Sequence, residues 1–426
     1  MTEDFLHYIW KFRLYDGLAL YSDEGQKVEI VHPGFHNKDS GPDFSHAKVR
    51  IGDQLWVGNI EIHTFHSDWD KHGHGDDPSY DNIILHVVYE KDVEHLRNVK
   101  GHFPTLELKG YFDEHRFWRF QQLLSSGVEF PCQSLIGNVD KGILMPWLER
   151  NLVDRLEQKS DAVIESLKQC DGNWNELMYR FIARSLGLHI NADPMWWLAH
   201  CTPLRLAGKY IHDREVLEAL LLGQSGLLFE RKVQTDDQIE RWRNEYAHLC
   251  RKHTLEPLQP EVWKFLRLRP PSFPTLRIAQ LAALISRYPN IFDVFYQSET
   301  HSAANSLFEV DISDYWLDHY VLGKVSTTAS KSIGRSKADV ILVNGVVPVL
   351  FAYGRQTGNE ALQHRMLNWL EGMPPERNRI TNAFADAGVR RCNAGVSQAK
   401  LQLFHDYCEP KRCLQCAVGV KLVGEN

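Results

Sequence analysis

A chain of 426 residues, 43% of them hydrophobic, is long enough for two or three domains with buried cores. Its formal net charge of −7 excludes the strongly basic surface of a nucleic-acid coat protein, although a local basic groove remains compatible with it. The N-terminus lacks the features of a secretory signal, and no stretch reaches the ~20 apolar residues of a membrane span. The sequence therefore predicts a soluble cytoplasmic protein.

The N-terminal third combines one helix with several short strands. Apolar side chains at helical spacing between Phe5 and Phe12 predict a docking helix. Short Val- and Ile-rich stretches, broken by Gly, Asp and Pro, then predict a mixed sheet with a hairpin turn at Ile51–Gln54. Residues 1–130 are therefore predicted to form one α/β domain. The predicted strands are Val28–Val31, Ala47–Ile51, Leu55–Ile62, Asn82–Tyr89 and Thr105–Leu108.

Helix-compatible stretches dominate the rest of the chain. A segment with three prolines, Arg267–Pro274, predicts a joint between two helical domains, 131–270 and 271–426. Within the second, residues 300–390 are predicted to be mostly helical, although Asp339–Phe351 is rich enough in Val and Ile to be a strand instead. The predicted fold class is α+β, in which a mixed-sheet domain precedes a mainly helical body with a C-terminal cysteine knuckle. The predicted helices are Lys141–Gln169, Asn175–Leu186, Asp213–Gly223, Asp236–His253 and Thr275–Ser286.

A polar cluster occupies the predicted sheet. Asp43 precedes one predicted strand, and Glu61 and His63 lie two residues apart on the next, so that both project from the same face. Carboxylate oxygens suit Mg²⁺ or Mn²⁺, and an imidazole shifts the preference toward Mn²⁺, Zn²⁺ or iron. The pattern predicts a divalent-metal site with Asp43, Glu61 and His63 as its catalytic and metal-binding residues.

The segment that follows is rich in histidine. Five of the chain's 21 histidines lie within residues 63–86, and a merely solvated loop has no need for this enrichment. His72 and His74 are therefore predicted as further metal ligands or proton carriers. The pairs His63-x-x-His66 and His72-x-His74 also fit a zinc hydrolase of another substrate, in which three protein ligands leave one position open. A further alternative is a non-catalytic scaffold that binds nucleic acid or protein and uses structural metals.

Several motifs resemble an uncharacterised bacterial family, domain of unknown function 2851. They are Gly41–Phe44, Trp56–His63 and Asn82–His86, and the likeness extends to Arg277–Gln280 and Tyr407–Cys408. That family implies no particular reaction.

The same core is similar to the PD-(D/E)XK phosphodiesterases, which have a restriction-endonuclease-like fold. In that superfamily an Asp after a turn and an acidic residue on the next strand hold the metal, and Asp43 and Glu61 occupy these positions. His63 stands where lysine is usual, as a base or ligand. Glu29 is the nearest counterpart of the helical glutamate that often joins such sites. The resemblance implies a metal-dependent nuclease acting on DNA or RNA.

A second candidate metal site lies near the C-terminus. Cys392, Cys408, Cys413 and Cys416 supply four potential thiolates, and the Cys413-x-x-Cys416 spacing is typical of metal knuckles. Zinc is the simplest occupant, and an iron–sulfur cluster also uses four cysteines, so the spacing leaves both open. Basic residues around the knuckle, such as Lys411 and Arg412, suit a phosphate backbone and favour nucleic acid as the partner.

Overall fold

The structure, a computed structural model, describes residues 1–15, 19–37, 40–125, 128–231, 233–390 and 392–424. The chain forms two compact units. The sheet unit comprises Met1–Trp147, Asp386–Val389 and Leu403–Asn426, and the helical unit comprises Leu148–Ala385 and Arg390–Gln402. The C-terminal segment thus joins the sheet, and the two units cut across the predicted boundaries of 1–130, 131–270 and 271–426.

The sheet unit contains every strand that the sequence predicts for residues 1–130. The hairpin turn is also confirmed, because Ile51 pairs with Gln54. The strands are β1 (Leu20–Tyr21), β2 (Lys27–His32), β3 (Phe35–His36), β4 (Phe44–Ile51), β5 (Gln54–Phe65), β6 (Ile83–Glu90) and β7 (Thr105–Glu107). The helices of this unit are α1 (Glu3–Phe12), α2 (Asp68–His72), α3 (His115–Ser125) and α18 (Ala417–Gly424).

The sheet is mixed, as predicted. The strand order is β1-β2-β4-β5-β6-β7, with β3 paired beside β4. Strands β2, β4 and β5 form an antiparallel meander, whereas β6 pairs with β5 in parallel and β7 with β6 in parallel. A parallel pair needs a crossover connection. Here the crossover is the histidine-rich segment 66–82, which therefore runs from the end of β5 back to the start of β6.

Helix α1 is amphipathic and buries its apolar face. Its buried side chains include Phe5, Ile9 and Trp10, and Phe5 packs edge-on against Phe117 at 5.3 Å between ring centroids. The helix ends at Arg13, whose φ of 52° is left-handed. The apolar packing fixes α1 to the unit, and its polar residues are thereby held at the edge of the site described below.

The C-terminal helix α18 is tied to the same unit by long-range hydrogen bonds. Arg119 Nε donates to the carbonyl oxygen of Val423 at 3.2 Å, and the Tyr8 hydroxyl donates to that of Val420 at 3.5 Å. Residues more than 300 positions apart in sequence are therefore neighbours in the sheet unit.

The remaining helices confirm the predicted helical body. All five predicted helices are present, as α4, α5, α8, α9 and α10 in the list that follows. The helices are α4 (Lys141–Lys168), α5 (Trp174–Leu186), α6 (Ala192–Cys201), α7 (Leu204–Ala207), α8 (Arg214–Gln224), α9 (Asp237–His253), α10 (Pro274–Arg287), α11 (Ile291–Tyr296), α12 (His301–Ser306), α13 (Arg335–Ile341), α14 (Val347–Thr357), α15 (Glu360–Gly372), α16 (Arg379–Asp386) and α17 (Ala394–Leu403). A two-stranded ribbon, β8 (His319–Val321) and β9 (Lys324–Val325), accompanies them.

The strand alternative at Asp339–Phe351 is wrong, and the prediction of a mostly helical region is confirmed. This segment is helical, and a π-helical turn over Leu342–Val346 joins α13 to α14. All but one of its Val and Ile side chains are buried, and a Cβ added at Gly345 would lie 2.8 Å from Ser185 Oγ of α5. The β-branched residues therefore reflect close burial among helices rather than a strand.

One helical stretch, Arg335–Thr357, is long and apolar enough to cross a membrane by length and composition alone. However, 72% of its apolar window is buried inside the protein, as in the core helix of a soluble protein. The cytoplasmic location remains a prediction.

Candidate metal centre

Two neighbouring segments bring four candidate ligands together. Glu61 and His63 lie on β5, in the middle of the sheet, and are 5% and 1% exposed. His72 ends α2, and His74 begins the following 3-10 turn. Gly73 between them has a left-handed φ of 71°, which turns the chain sharply and directs both histidines toward His63.

The ligand atoms of these residues lie close to His63 Nε2. The Nε2 atom of His63 lies 3.1 Å from His72 Nδ1, 3.2 Å from His74 Nε2 and 3.6 Å from Glu61 Oε1. His74 Nε2 is also 3.2 Å from Glu61 Oε1. The strand alternation predicted for Glu61 and His63 is therefore confirmed, since both side chains meet His74. Among the described residues, His63, His72 and His74 form a group whose ligand atoms all lie within 4.8 Å of one another.

A hydrogen bond to His86 restricts which nitrogen of the His63 ring can bind a metal. Its Nδ1 atom lies 2.9 Å from Nε2 of His86, which is fully buried on β6 directly opposite Glu61. If Nδ1 carries the proton and donates to His86, the lone pair of His63 Nε2 faces His72 and His74. Burial, followed by the neighbouring His74 and His72, lowers the pKa of His63 to about 3. His63 is therefore neutral at pH 7, as a metal ligand must be.

The two oxygens of the Glu61 carboxylate have different partners. Oε2 accepts the backbone N–H of Asp43 at 3.1 Å, and Oε1 faces His63 and His74. Burial raises the pKa of Glu61, because the buried carboxylate loses the hydration that stabilises its charge. A cation at the centre of the group would restore the ionised form.

Asp43 lies beside the histidine group. Its Oδ2 atom accepts the backbone N–H of Ile62 at 2.9 Å and is 3.2 Å from Nε2 of His7 on α1. Burial lowers the pKa of His7, but the hydrogen bond and charge of Asp43 outweigh it, so the pKa is raised overall. Asp43 therefore holds a histidine on one side and the β5 backbone on the other.

Glu3 is the acidic residue that the sequence pattern does not reveal. It begins α1, and its carboxylate lies within electrostatic range of His72 and Asp43 while burial raises its pKa. Glu29, the nearest counterpart of the superfamily's helical glutamate, lies on a strand as predicted, and on β2 it is 63% exposed and 3.4 Å from Arg50. Glu29 therefore has no part in the site. The sequence feature that could have indicated Glu3 as a site residue is its position in the first turn of an apolar N-terminal helix.

The acidic residues of segment 66–82 hold the loop in place. Asp68 Oδ2 accepts the backbone N–H of Phe65 at 2.9 Å, and Asp70 accepts the backbone N–H groups of Arg97 and Asn98. Trp69 is buried and donates to the carbonyl oxygen of Asn98 at 3.0 Å. These bonds restrain the segment that presents His72 and His74.

His66 has a structural role in the same loop. Its Nδ1 atom lies 2.8 Å from the carbonyl oxygen of Val93, and Nε2 lies 3.2 Å from the Thr105 hydroxyl. Both ring nitrogens are thus occupied away from His63, and the predicted His63-x-x-His66 ligand pair does not form.

The predicted cysteine ligands are divided between the units. Cys408, Cys413 and Cys416 are buried in the sheet unit. Cys392 belongs to the helical unit, is exposed, and its Sγ lies 3.9 Å from the carbonyl oxygen of Arg390.

Comparison with known proteins supplies a family but no activity. The profile of the family described as "Protein of unknown function (DUF2851)" matches residues 3–379. The chain belongs to this family. The match includes Glu3, the β5 ligands and the histidine-rich segment, and ends before Tyr407–Cys408. No curated protein and no solved structure matches the chain, so the restriction-endonuclease-like fold remains a prediction.

Proposed function

We propose that this protein is a metal-dependent hydrolase that cleaves phosphodiester bonds in nucleic acid. The observation that carries the proposal is the convergence of His63, His72 and His74, whose ligand atoms all lie within 4.8 Å of one another, with Glu61 Oε1 beside His63 and His74. Ligands bonded to a tetrahedral ion at about 2.0–2.1 Å lie roughly 3.3 Å from one another, by geometry. The separations of 3.1, 3.2 and 3.6 Å around His63 Nε2 fit that spacing.

The donor set also supports a choice of metal. Three imidazoles and one carboxylate favour Mn²⁺, Zn²⁺ or iron over Mg²⁺, which prefers oxygen ligands. His72 is exposed, so the group reaches the surface on one side. A divalent cation at this point would supply Lewis-acid chemistry to a phosphoryl oxygen of a substrate.

The residues around the group support distinct roles. A general base works best when its pKa is near the operating pH, and the low pKa of His63 makes it a ligand instead. His7 has a raised pKa and is oriented by Asp43 at 3.2 Å, so this pair is suited to carry the proton. We assign proton transfer to His7 and its positioning to Asp43.

A basic cavity supports a phosphate-containing substrate. His7 lines a cavity of about 290 Å³ in the sheet unit, together with Lys11, Lys411 and Arg412. Cations in a cleft attract a polyanionic backbone. The element order, one helix, an antiparallel meander and then a parallel strand, also agrees with the PD-(D/E)XK resemblance, with Glu3 as the helical glutamate.

The test uses the full chain, stripped of metal and reloaded with Mn²⁺, Zn²⁺ or Mg²⁺. Labelled single- and double-stranded DNA, single-stranded RNA and bis(p-nitrophenyl) phosphate serve as substrates. Glu61→Gln keeps the side-chain shape and should lower metal-dependent turnover roughly 100-fold or more. Glu29→Gln, an exposed acidic residue outside the site, is the matched control and should leave turnover unchanged. His7→Gln should lower kcat and remove the acidic limb from its pH profile, because a general base must be deprotonated to act.

The scaffold alternative has one observation in its favour. Glu61 and the three histidines supply four ligands, which is the number that a closed structural zinc site uses. In that case the chain would bind metal stoichiometrically without cleaving any of the four substrates, and Glu61→Gln would lower only the thermal stability. That outcome would refute the hydrolase proposal.

A further inference from the structure

Cys132, which is not among the four cysteines predicted as ligands, lies with the three C-terminal cysteines of the sheet unit. Cys132 is 6% exposed, and Cys408, Cys413 and Cys416 are similarly buried. All four belong to the sheet unit, although Cys132 precedes the others by more than 270 residues. The fold thus assembles a group of buried thiols that no sequence spacing indicates.

The four thiols are close enough to influence one another. Burial, followed by the neighbouring thiols Cys416 and Cys413, raises the pKa of Cys132 to about 12. The pKa of Cys408 is raised by burial and then by Cys132, Cys416 and Cys413. Cys392 is not among the groups that affect any of them.

Cys416 is surrounded by hydrogen-bond donors. The backbone N–H groups of Val418 and Gly419, at the start of α18, donate to its sulfur, and the side chain of Trp147 also hydrogen-bonds to it. A thiol sulfur is a weak acceptor, whereas a thiolate is a strong one. Burial outweighs these donors and raises the pKa of Cys416, so the metal-free sulfur is a thiol, and the donors are placed to stabilise a thiolate once a metal displaces its proton.

The backbone of the knuckle is closely packed around this sulfur. A 3-10 turn spans Cys413–Gln415, and the Cys416 N–H donates to the Cys413 carbonyl oxygen at 3.2 Å. A Cβ added at Gly419 would lie 2.1 Å from that same oxygen, so only glycine permits this approach. The turn thereby holds Cys413 and Cys416 side by side in a fixed arrangement.

We propose that Cys132, Cys408, Cys413 and Cys416 hold a metal centre through four thiolates, with Cys132 rather than Cys392 as the fourth ligand. Binding displaces the thiol protons, and the donors at Cys416 orient one ligand from outside. Soft thiolates select zinc or an iron–sulfur cluster.

The sulfur spacing favours the cluster. One zinc ion with bonds of about 2.3 Å would bring its sulfurs within about 3.8 Å of one another. Among the described residues, no three of these sulfurs lie within 4.8 Å of one another, unlike the nitrogens of His63, His72 and His74. An iron–sulfur cluster places its ligands farther apart because each thiolate binds a different iron.

The first experiment measures metal content after anaerobic purification of the full chain and of two matched variants. Wild type should contain about four iron and four sulfide per chain, with broad visible absorption. Cys132→Ser should lose most of this metal, and Cys392→Ser should retain all of it. One zinc per chain with the same variant pattern would uphold the four ligands and overturn the cluster. Retention in Cys132→Ser, or loss in Cys392→Ser, would overturn the ligand assignment.

A second measurement covers the case in which Cys132→Ser does not fold. Wild-type protein is treated with iodoacetamide before and after removal of metal, and labelled cysteines are located by mass spectrometry. Exposed Cys392 should react at once, and the four proposed ligands should react only after metal removal. Cys170 is equally buried but lies in the helical unit, so it should stay protected throughout. A protein without metal, or four thiols whose reactivity is independent of metal, would refute the site.

Discussion

The hydrogen bond between His63 and His86 can be removed with little change in shape by the substitution His86→Phe. His86 is fully buried, its ring lies 5.3 Å from Trp69, and its Nδ1 atom has no hydrogen-bond partner. Phenylalanine keeps the aromatic packing but removes the acceptor for His63 Nδ1. A metal bound at His63 Nε2 then forces an unpaired proton onto the buried Nδ1.

The expected size follows from that unpaired group. Loss of the partner behind a metal-binding histidine typically costs 10- to 100-fold in metal affinity, or about 1.4 to 2.7 kcal/mol. Without metal, the stability should change by less than about 1 kcal/mol, because the variant exchanges one unpaired buried nitrogen for another. Affinity and stability should therefore respond separately.

Zinc or manganese affinity is measured by competition with a chromophoric chelator, and stability by urea unfolding of the metal-free chain. His66→Phe is the matched control, because this histidine is also buried but bonds Val93 and Thr105. It should lower stability by about 1–3 kcal/mol and leave metal affinity within twofold. Equal metal affinity for wild type and His86→Phe would refute the proposed role of the His63 ring.

Three further outcomes are expected. The pKa of His63 is lower in the folded chain than in the unfolded chain, so the unfolded chain binds more protons as the pH falls. The metal-free protein should therefore lose about 1 kcal/mol of stability per pH unit below about 6.5. Urea titrations at pH 7.5, 6 and 5 test this, and a flat profile would contradict it. Gly58→Ala should destabilise the chain by about 1–3 kcal/mol, because the new Cβ would lie 2.3 Å from the Ile84 side chain. Gly334→Ala is the control in the same thermal scan, because a Cβ at that position would have no atom within 4 Å. Burial raises the pKa of Glu218 to about 7, so the folded chain takes up more protons between about pH 4.5 and 7, and stability falls as the pH rises through that range. Glu218→Gln should raise the melting temperature at pH 8 but not at pH 4, and an equal shift at both would count against this cause.

The local parts of the structure were predictable because their signals are local. The two-residue spacing of Glu61 and His63 sufficed to place them on one face of a strand, as their shared contact with His74 confirms. The long helices were predictable from their periodicity. By contrast, the Val-rich segment at Asp339–Phe351 resembles a strand in composition, and only its burial among other helices decides its conformation.

The partners of the two candidate sites are set by tertiary packing, so no short pattern indicates them. Glu3 reaches the histidine group only because the apolar face of α1 is fixed to the sheet unit. Cys132 joins Cys408 only because the C-terminal segment returns to that unit. The choice of Cys392 rested on nearness in sequence, and nearness in sequence does not determine which unit a residue joins.

The return of Leu403–Asn426 to the sheet unit also determines the order of events during translation. The ribosome must synthesise the whole helical unit before α18 can pack beside α3 and supply its bonds to Arg119 and Tyr8. Until then, the surface of α3 that contacts α18 stays uncovered. A chain that terminates before Leu403 would keep the histidines of the crossover and lose three thiols of the second group, so the two candidate sites are completed at different stages of synthesis.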